Sequence, residues 1–173
     1  QKVPTGKLLE DPYHFWYIGK SYYDSTLGDY PLGMDHIKEY ARRSIFYFAQ
    51  YLNFKHDYNK TGQAQGVDEL AYFALYAMGD MNKLCGNYEK ALDCGMRAEE
   101  FAPPRNEHIV LQAECYRDLS DFDSMKIQTD RLMDPNRKLP FPEYNFLLNM
   151  EHYNDSGKYC NQLNDFVLEK ITK

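Results

Sequence analysis

The sequence predicts an all-α protein, an α-solenoid in which about four antiparallel helical hairpins stack side by side with a right-handed twist. Two observations predict this class. Similar residues recur at an offset of 34 positions through the middle of the chain, as they do in stacks of equal helical pairs. Apolar residues follow helical spacing, and no useful stretch shows the alternation of a strand. A single hairpin cannot bury its apolar face, so neighbouring hairpins must supply the core.

The 34-residue repeat is clearest between the second and third hairpins. The matched positions are Leu75 with Ile109, Gly79 with Ala113, Gly86 with Ser120, Tyr88 with Phe122 and Ala91 with Met125. Gly79 and Ala91 are small, which predicts a close helix crossing. Gly86 predicts a helix end that tolerates a left-handed residue. Pro103 and Pro104 predict the end of the following helix.

The helical pattern divides residues 1–173, taken as one domain, into eight helices. We expect them at 12–25, 33–54, 68–85, 88–102, 106–119, 122–133, 142–156 and 159–171. The hairpins then lie near 12–54, 68–103, 106–135 and 142–171, with a loop over 55–67 where Gly62 and Gly66 occur. Gly157 and Lys158 are expected to form the turn of the last hairpin.

Composition narrows the possible functions. The chain has 26 Asp+Glu against 20 Lys+Arg, and this net charge of −6 argues against nonspecific nucleic-acid binding. No run of 18 apolar residues predicts a membrane span. We expect no signal peptide, and the four cysteines form no CxxC pair, so we expect a cytoplasmic protein with reduced thiols. The chain opens with Gln1 instead of Met, so we expect it to be part of something larger or a processed product.

Motifs that would indicate a cofactor or a catalytic centre do not occur. The five histidines form no HExxH, and the sequence contains no phosphate-binding loop and no nucleophile elbow. Asp121 and Asp123 spell an Asp-x-Asp, which could bind a metal diphosphate. However, Phe122 falls on the aromatic position of the repeat, so we interpret Asp121 as a helix N-cap and Asp123 as a first-turn residue. We therefore expect neither a metal nor a cofactor.

The repeat resembles the tetratricopeptide repeat, because it has a small residue in the first helix, a Gly-Asn or Ser-Asp turn before an aromatic residue, and a closing proline. A narrower resemblance is to the helical region that follows the catalytic domain in many family 2 glycosyltransferases. The segments that show this resemblance are Phe15–Tyr23, Gly66–Glu69, Tyr72–Tyr76, Gly79–Asp80, Asn87–Leu92 and Pro140–Pro142. The resemblance implies a parent enzyme that uses a nucleotide-sugar donor, with its catalytic domain upstream and outside this chain.

The tetratricopeptide resemblance also implies a binding surface, because the first helix of each pair lines a groove in such stacks. The expected groove residues are Tyr13, Trp16, Lys20, Tyr23, Phe73, Tyr76, Asp80, Lys83, Glu114 and Arg117, with Glu107, Val110, Tyr144, Leu147, Glu151 and Asn154 at the remaining positions. Exposed aromatic residues in a groove indicate a partner or ligand. The alternative is a register shifted by one residue, with these rings packing the stack. Asp80, Glu114 and Glu151 would repel an anionic peptide tail, which argues against a co-chaperone.

We therefore expect a noncatalytic helical repeat domain that serves a glycosyltransferase in assembly or in positioning an acceptor or partner. Its partner would be the upstream catalytic domain or another protein, and self-association is possible. One alternative is an independent adaptor that binds a peptide in its groove. A further alternative places a sugar site in the groove itself, with Trp16 and Tyr76 stacking on the sugar.

Overall fold

The computed structural model describes residues 11–28, 33–59, 68–101, 106–134 and 152–173. These ranges contain seven α-helices and no strand: α1 Pro12–Leu27, α2 Met34–Asn59, α3 Glu69–Leu84, α4 Tyr88–Phe101, α5 Glu107–Asp118, α6 Phe122–Met133 and α7 His152–Ile171. The predicted all-α class is confirmed. Across the described ranges, no helix combines the length and apolar character needed to cross a bilayer.

The ends of the helices agree with the sequence prediction in the middle of the chain and differ at two places. Helix α2 continues to Asn59, several residues into the predicted loop. The predicted turn at Gly157 and Lys158 is wrong, because α7 passes through both residues without a break. One glycine inside a helix costs only about 1 kcal/mol, so glycine alone does not end a helix. The predicted helix 142–156 lies mostly outside the described residues, as do Pro103, Pro104 and most of the predicted loop.

Aspartate side chains start three of the helices. Asp11 accepts a hydrogen bond from the Tyr13 backbone N–H at 3.0 Å, and Asp68 accepts one from Ala71 at 3.0 Å. Asp121 accepts one from the Ser124 N–H at 3.1 Å. Each bond satisfies a backbone donor that the first turn of a helix leaves unpaired. The prediction that Asp121 is a helix N-cap is confirmed.

The α3–α4 and α5–α6 turns have the same backbone geometry. Gly86 has φ of 80°, and Ser120, 34 residues later, has φ of 59°. The Gly86 N–H donates to the Lys83 carbonyl at 2.9 Å, and the Ser120 N–H donates to the Arg117 carbonyl at 3.0 Å. The residue after each donates to a carbonyl five positions earlier, at 2.9 Å in both turns. The predicted left-handed helix end at Gly86 is confirmed, and the same turn recurs at the predicted offset.

Two glycines allow neighbouring helices to approach closely. A Cβ atom added to Gly79 would lie 2.5 Å from Leu111 Cδ2 and 3.2 Å from the Ala91 carbonyl oxygen. Ala91 is fully buried, so the predicted close crossing of α3 and α4 is confirmed. A Cβ atom on Gly19 would lie 3.0 Å from the Phe48 ring, where α1 crosses α2.

Each helix from α1 to α5 packs against the next helix in the chain, and α6 packs against α7. In addition, α1 contacts α3, α3 contacts α5 and α5 contacts α7. Within the described ranges, no such contact joins α2 to α4 or α4 to α6. Helices α1, α3 and α5 therefore lie side by side, and α2, α4 and α6 lie behind them. The largest fully buried apolar side chains include Phe48, Tyr51, Leu75, Met81, Ile109, Leu111, Met125 and Val167.

Candidate functional site

Helix α3 presents one accessible stripe, and it consists of the residues that the sequence predicts for the groove. Phe73, Tyr76, Asp80 and Lys83 are each partly exposed, whereas the residues between them are buried. Their spacing of three or four residues keeps them on one side of the helix. That side lies between α1 and α5, the two helices that flank α3 among the odd-numbered set.

A polar cluster joins three helices at this stripe. The Tyr23 hydroxyl of α1 donates to Asp80 Oδ2 of α3 at 3.3 Å. The Lys83 ammonium lies 3.8 Å from Asp80 Oδ1 and forms an ion pair with Glu114 of α5. We call these residues, together with Tyr76, the α1–α3–α5 cluster. Five of the predicted groove residues thus come together in space.

The electrostatic environment of the cluster is acidic. Burial raises the pKa of the Tyr76 phenol above its usual range, and the charges of Asp80, Glu107 and Glu114 raise it further. Burial also raises the pKa of Tyr23, and Tyr76 and Asp80 add to that effect. Both phenols stay protonated because their anionic forms would be desolvated and would face carboxylates. They therefore serve as hydrogen-bond donors over the physiological pH range.

Trp16 and Tyr23 are core residues with 8% and 7% of their surface exposed. The Trp16 indole N–H donates to the Leu70 carbonyl at 3.0 Å, and its ring lies 5.4 Å from the Phe73 ring. Tyr23 meets Phe73 edge-on, with ring centroids 5.7 Å apart. Both rings are therefore packed between helices, as the alternative of a shifted register predicts, and do not line an open groove. Trp16 offers no open face on which a sugar could stack.

The accessible side of α1 includes two of the four predicted residues, Tyr13 and Lys20, and at the other two positions it is shifted by one residue. Tyr13 is 49% exposed and Tyr17 is 63% exposed, and Asp24 forms an ion pair with Lys20 at 2.6 Å on the same side. Tyr17 and Asp24 were missed by the sequence prediction. Residues 13, 17, 20 and 24 have the helical spacing of one accessible side, which is a signal for this set. Residues 13, 16, 20 and 23 have helical spacing too, so spacing alone does not choose between the two sets.

We define the first-helix surface as the accessible side of α1, α3 and α5. It consists of Tyr13, Tyr17, Lys20 and Asp24 on α1, of Phe73, Tyr76, Asp80 and Lys83 on α3, and of Glu107 and Glu114 on α5. Glu107 accepts a hydrogen bond from the Tyr72 hydroxyl at 3.2 Å, which ties the far edge of this surface to α3.

The remaining predicted groove residues lie apart from the cluster. Arg117 pairs with Asp118 at 3.1 Å and lines an open cavity of about 550 Å³ between α5 and α7, together with Gln162, Leu163 and Phe166. Val110 packs against the core formed by α5, α6 and α7. Tyr144, Leu147 and Glu151 fall outside the described residues, and of Asn154 only the helical backbone is described.

In the part of the chain that the structure describes, no group of three or more His, Cys, Asp or Glu side chains is placed to hold a metal ion. Asp121 is engaged as a helix cap. The cysteine thiols of Cys94 and Cys115 are buried, and burial raises their pKa values to about 11 and about 12. A thiol with so high a pKa is a poor nucleophile at neutral pH.

Comparison of the chain with protein-family models, with curated proteins and with solved structures finds no match in any of the three. The tetratricopeptide and glycosyltransferase resemblances therefore rest on the residues quoted above.

Proposed function

We propose that the chain is a noncatalytic tetratricopeptide-like array of helical hairpins that binds a partner through its first-helix surface. The observation that carries this proposal is the alternating contact pattern. Helix α1 contacts α3 and α3 contacts α5 across hairpins, whereas no such contact joins α2, α4 and α6 to one another. A stack of tetratricopeptide pairs likewise brings the first helices of its hairpins onto one shared face.

The two matching turns support the repeat component of the proposal. Gly86 and Ser120 share their position in the hairpin, their left-handed backbone and their hydrogen bonds. The recurrence of a left-handed residue with the same two hydrogen bonds at an offset of 34 residues favours two copies of one unit. About four copies in the whole chain remains a prediction.

The first-helix surface supports the binding component. Tyr13 and Tyr17 expose about half or more of their surface beside charged residues. Tyrosine supplies much contact area for little loss of conformational entropy, and it is enriched at protein interfaces. A partner that covers both rings would remove their apolar surface from water.

We propose further that the partner is the catalytic domain of a family 2 glycosyltransferase, either upstream in the same protein or in a separate chain. This choice is supported by the resemblance to the helical region of such enzymes, which is carried here by Gly66–Glu69, Tyr72–Tyr76, Gly79–Asp80 and Asn87–Leu92. A cytoplasmic location goes with the proposal and remains a prediction. The second candidate is an independent adaptor, which the same surface would serve equally well.

The test places a photo-crosslinking p-benzoylphenylalanine at Tyr17 on α1 and, as a matched control, at Met96 on α4. Tyr17 is 63% exposed and belongs to the first-helix surface, whereas Met96 is 53% exposed and lies on α4, outside that surface. Irradiation in cells of the source organism should crosslink position 17 to peptides of a glycosyltransferase catalytic domain, identified by mass spectrometry.

The control separates the possible outcomes of this experiment. Crosslinks from position 17 to a protein without that domain would favour the adaptor. Crosslinks of equal yield from position 96, or none from position 17, would contradict binding through the first-helix surface. Turnover of a nucleotide-sugar by the isolated chain would contradict the noncatalytic assignment.

A further inference from the structure

We propose that the first-helix surface recognises a basic peptide segment and that Asp80 receives one of its arginine or lysine side chains. This inference rests on the proposed function and specifies the chemistry of the partner. It commits to a peptide cation, because the surface combines a half-buried carboxylate with accessible tyrosine rings.

Asp80 has unused capacity as an acceptor. Its side chain is 23% exposed, and its polar contacts are the Tyr23 hydroxyl at 3.3 Å and the Lys83 ammonium at 3.8 Å. Lys83 is shared, since it forms its closer ion pair with Glu114. A carboxylate can accept about four hydrogen bonds, so an incoming guanidinium or ammonium would find free lone pairs at Asp80.

The exposed tyrosine rings of the first-helix surface suit a cation as well. Tyr23, whose ring is buried, and Tyr76 lie beside the Asp80 carboxylate as neutral phenols, because burial and Asp80 raise their pKa values, and so they add no competing charge. Tyr13 and Tyr17 expose their rings on the neighbouring helix. The face of a tyrosine ring attracts arginine and lysine through its quadrupole. The Asp80 carboxylate and the exposed tyrosine rings thus both favour a positively charged partner.

An anionic partner fits this surface poorly. A phosphate or a carboxylate approaching Asp80 would meet a like charge in a partly desolvated position, where screening by salt is weak. The ammonium of Lys83 and that of Lys20 are each paired with a carboxylate of the same surface. A nucleic acid would therefore face net repulsion.

The test uses a fluorescein-labelled tetra-arginine peptide and fluorescence anisotropy at physiological salt. Tetra-citrulline, which has the same shape without the charge, and tetra-glutamate serve as comparison peptides. The informative variant is Asp80→Asn, which removes the charge and keeps the side-chain shape. Asp93→Asn is the matched control, because Asp93 lies on α4 with 67% of its side chain exposed and changes the net charge equally.

We expect saturable binding of tetra-arginine only, weakened about tenfold by Asp80→Asn and less than twofold by Asp93→Asn, as expected for loss of a charge-assisted hydrogen bond. Equal losses in the two variants would overturn the proposal, since they would show a general attraction to an acidic protein. Absence of binding by tetra-arginine, or equal binding of tetra-citrulline, would overturn it too.

If circular dichroism shows that Asp80→Asn disturbs the fold, the binding of tetra-arginine by the Tyr17→Ala variant tests the proposal instead. A loss of about threefold or more would support the proposal through the ring contribution, and unchanged binding would contradict it. The crosslinking experiment above is independent of charge. A crosslinked partner together with no peptide binding would therefore leave the proposed function standing and reject only the basic partner.

Discussion

Ser120 occupies the same left-handed position at the α5–α6 turn that Gly86 occupies at the α3–α4 turn, with φ of 59° against 80°. The serine has a Cβ atom that crowds its own backbone in this conformation, whereas the glycine has none. The two turns therefore perform the same task at different conformational cost.

We expect Ser120→Gly to stabilise the protein by about 0.5 kcal/mol, because relief of the backbone strain exceeds the added entropy of the unfolded chain. Gly86→Ala should destabilise it by about 1 kcal/mol for the opposite reason. Urea unfolding measures both changes. The same sign for the two substitutions would show that the turns are not equivalent.

Overpacking tests the close crossing of α3 and α4. Ala91 is fully buried and faces Gly79, so Ala91→Leu should cost about 1–3 kcal/mol of unfolding free energy. Lys90→Leu on the exposed side of the same helix serves as the control and should change stability by less than about 0.5 kcal/mol. An unchanged melting temperature for Ala91→Leu would contradict the observed crossing.

Trp16 and Tyr17 are adjacent and differ in their surroundings, which makes them a direct test of the register of α1. Trp16→Ala should cost about 3–5 kcal/mol, because it removes a buried ring and the partner of the Leu70 carbonyl. Tyr17→Ala should stay within about 0.5 kcal/mol of the parent protein. Similar losses for the two variants, measured by thermal unfolding, would mean that α1 is rotated.

The cap at Asp121 predicts how acid affects α6. Hydrogen bonds from Ser124, through its side chain and its backbone N–H, hold the pKa of the Asp121 carboxyl below its usual range. The stabilisation is therefore present above the unfolded pKa and is lost as the pH falls through the lowered folded pKa.

Asp121→Ala should accordingly lower the melting temperature at neutral pH, with less effect in strong acid, whereas Asp121→Asn should retain the cap.

Manganese should leave the melting temperature of the parent protein unchanged, and calorimetry with manganese and a nucleotide-sugar should show no saturable heat. A manganese-dependent increase that Asp123→Ala abolishes would restore the metal interpretation of this motif.

Alkaline pH should destabilise the protein through the phenols of the α1–α3–α5 cluster. Their folded pKa values lie above the unfolded value of about 10, so the unfolded chain releases its protons first as the pH rises. Stability is then lost from about pH 10 upward. Tyr76→Phe should reduce this dependence on pH. Urea unfolding at several pH values measures it, and a dependence equal to that of the parent protein would contradict the assignment.

Sequence alone was sufficient for the helical class and for the features of the two central hairpins. Gly79, Gly86 and Asp121 each have a residue type that indicates their role: a close crossing requires a small residue, a left-handed turn favours glycine, and a helix start favours aspartate. These requirements act on one residue at a time, so a single sequence displays them.

The course of α7 could not be predicted from Gly157, because glycine occurs both in turns and inside helices. The register of α1 depended on tertiary contacts instead. Trp16 and Tyr17 are both aromatic, and the packing of α1 against α2 and α3 determines which of them is buried. The same limit applies to the candidate site, because Tyr23, Asp80 and Glu114 are far apart in sequence and meet only after three helices have packed.

The only tryptophan of the chain sits where α1, α2 and α3 meet, edge-on to Phe48 and against Phe73. Its intrinsic fluorescence is consequently a local probe of the amino-terminal half, whereas circular dichroism averages over every helix. In the described part of the chain, each helix contacts only helices one or two places away, so those two signals need not change together. Recording both during one denaturant titration would reveal whether the protein unfolds as a single cooperative body or from one end.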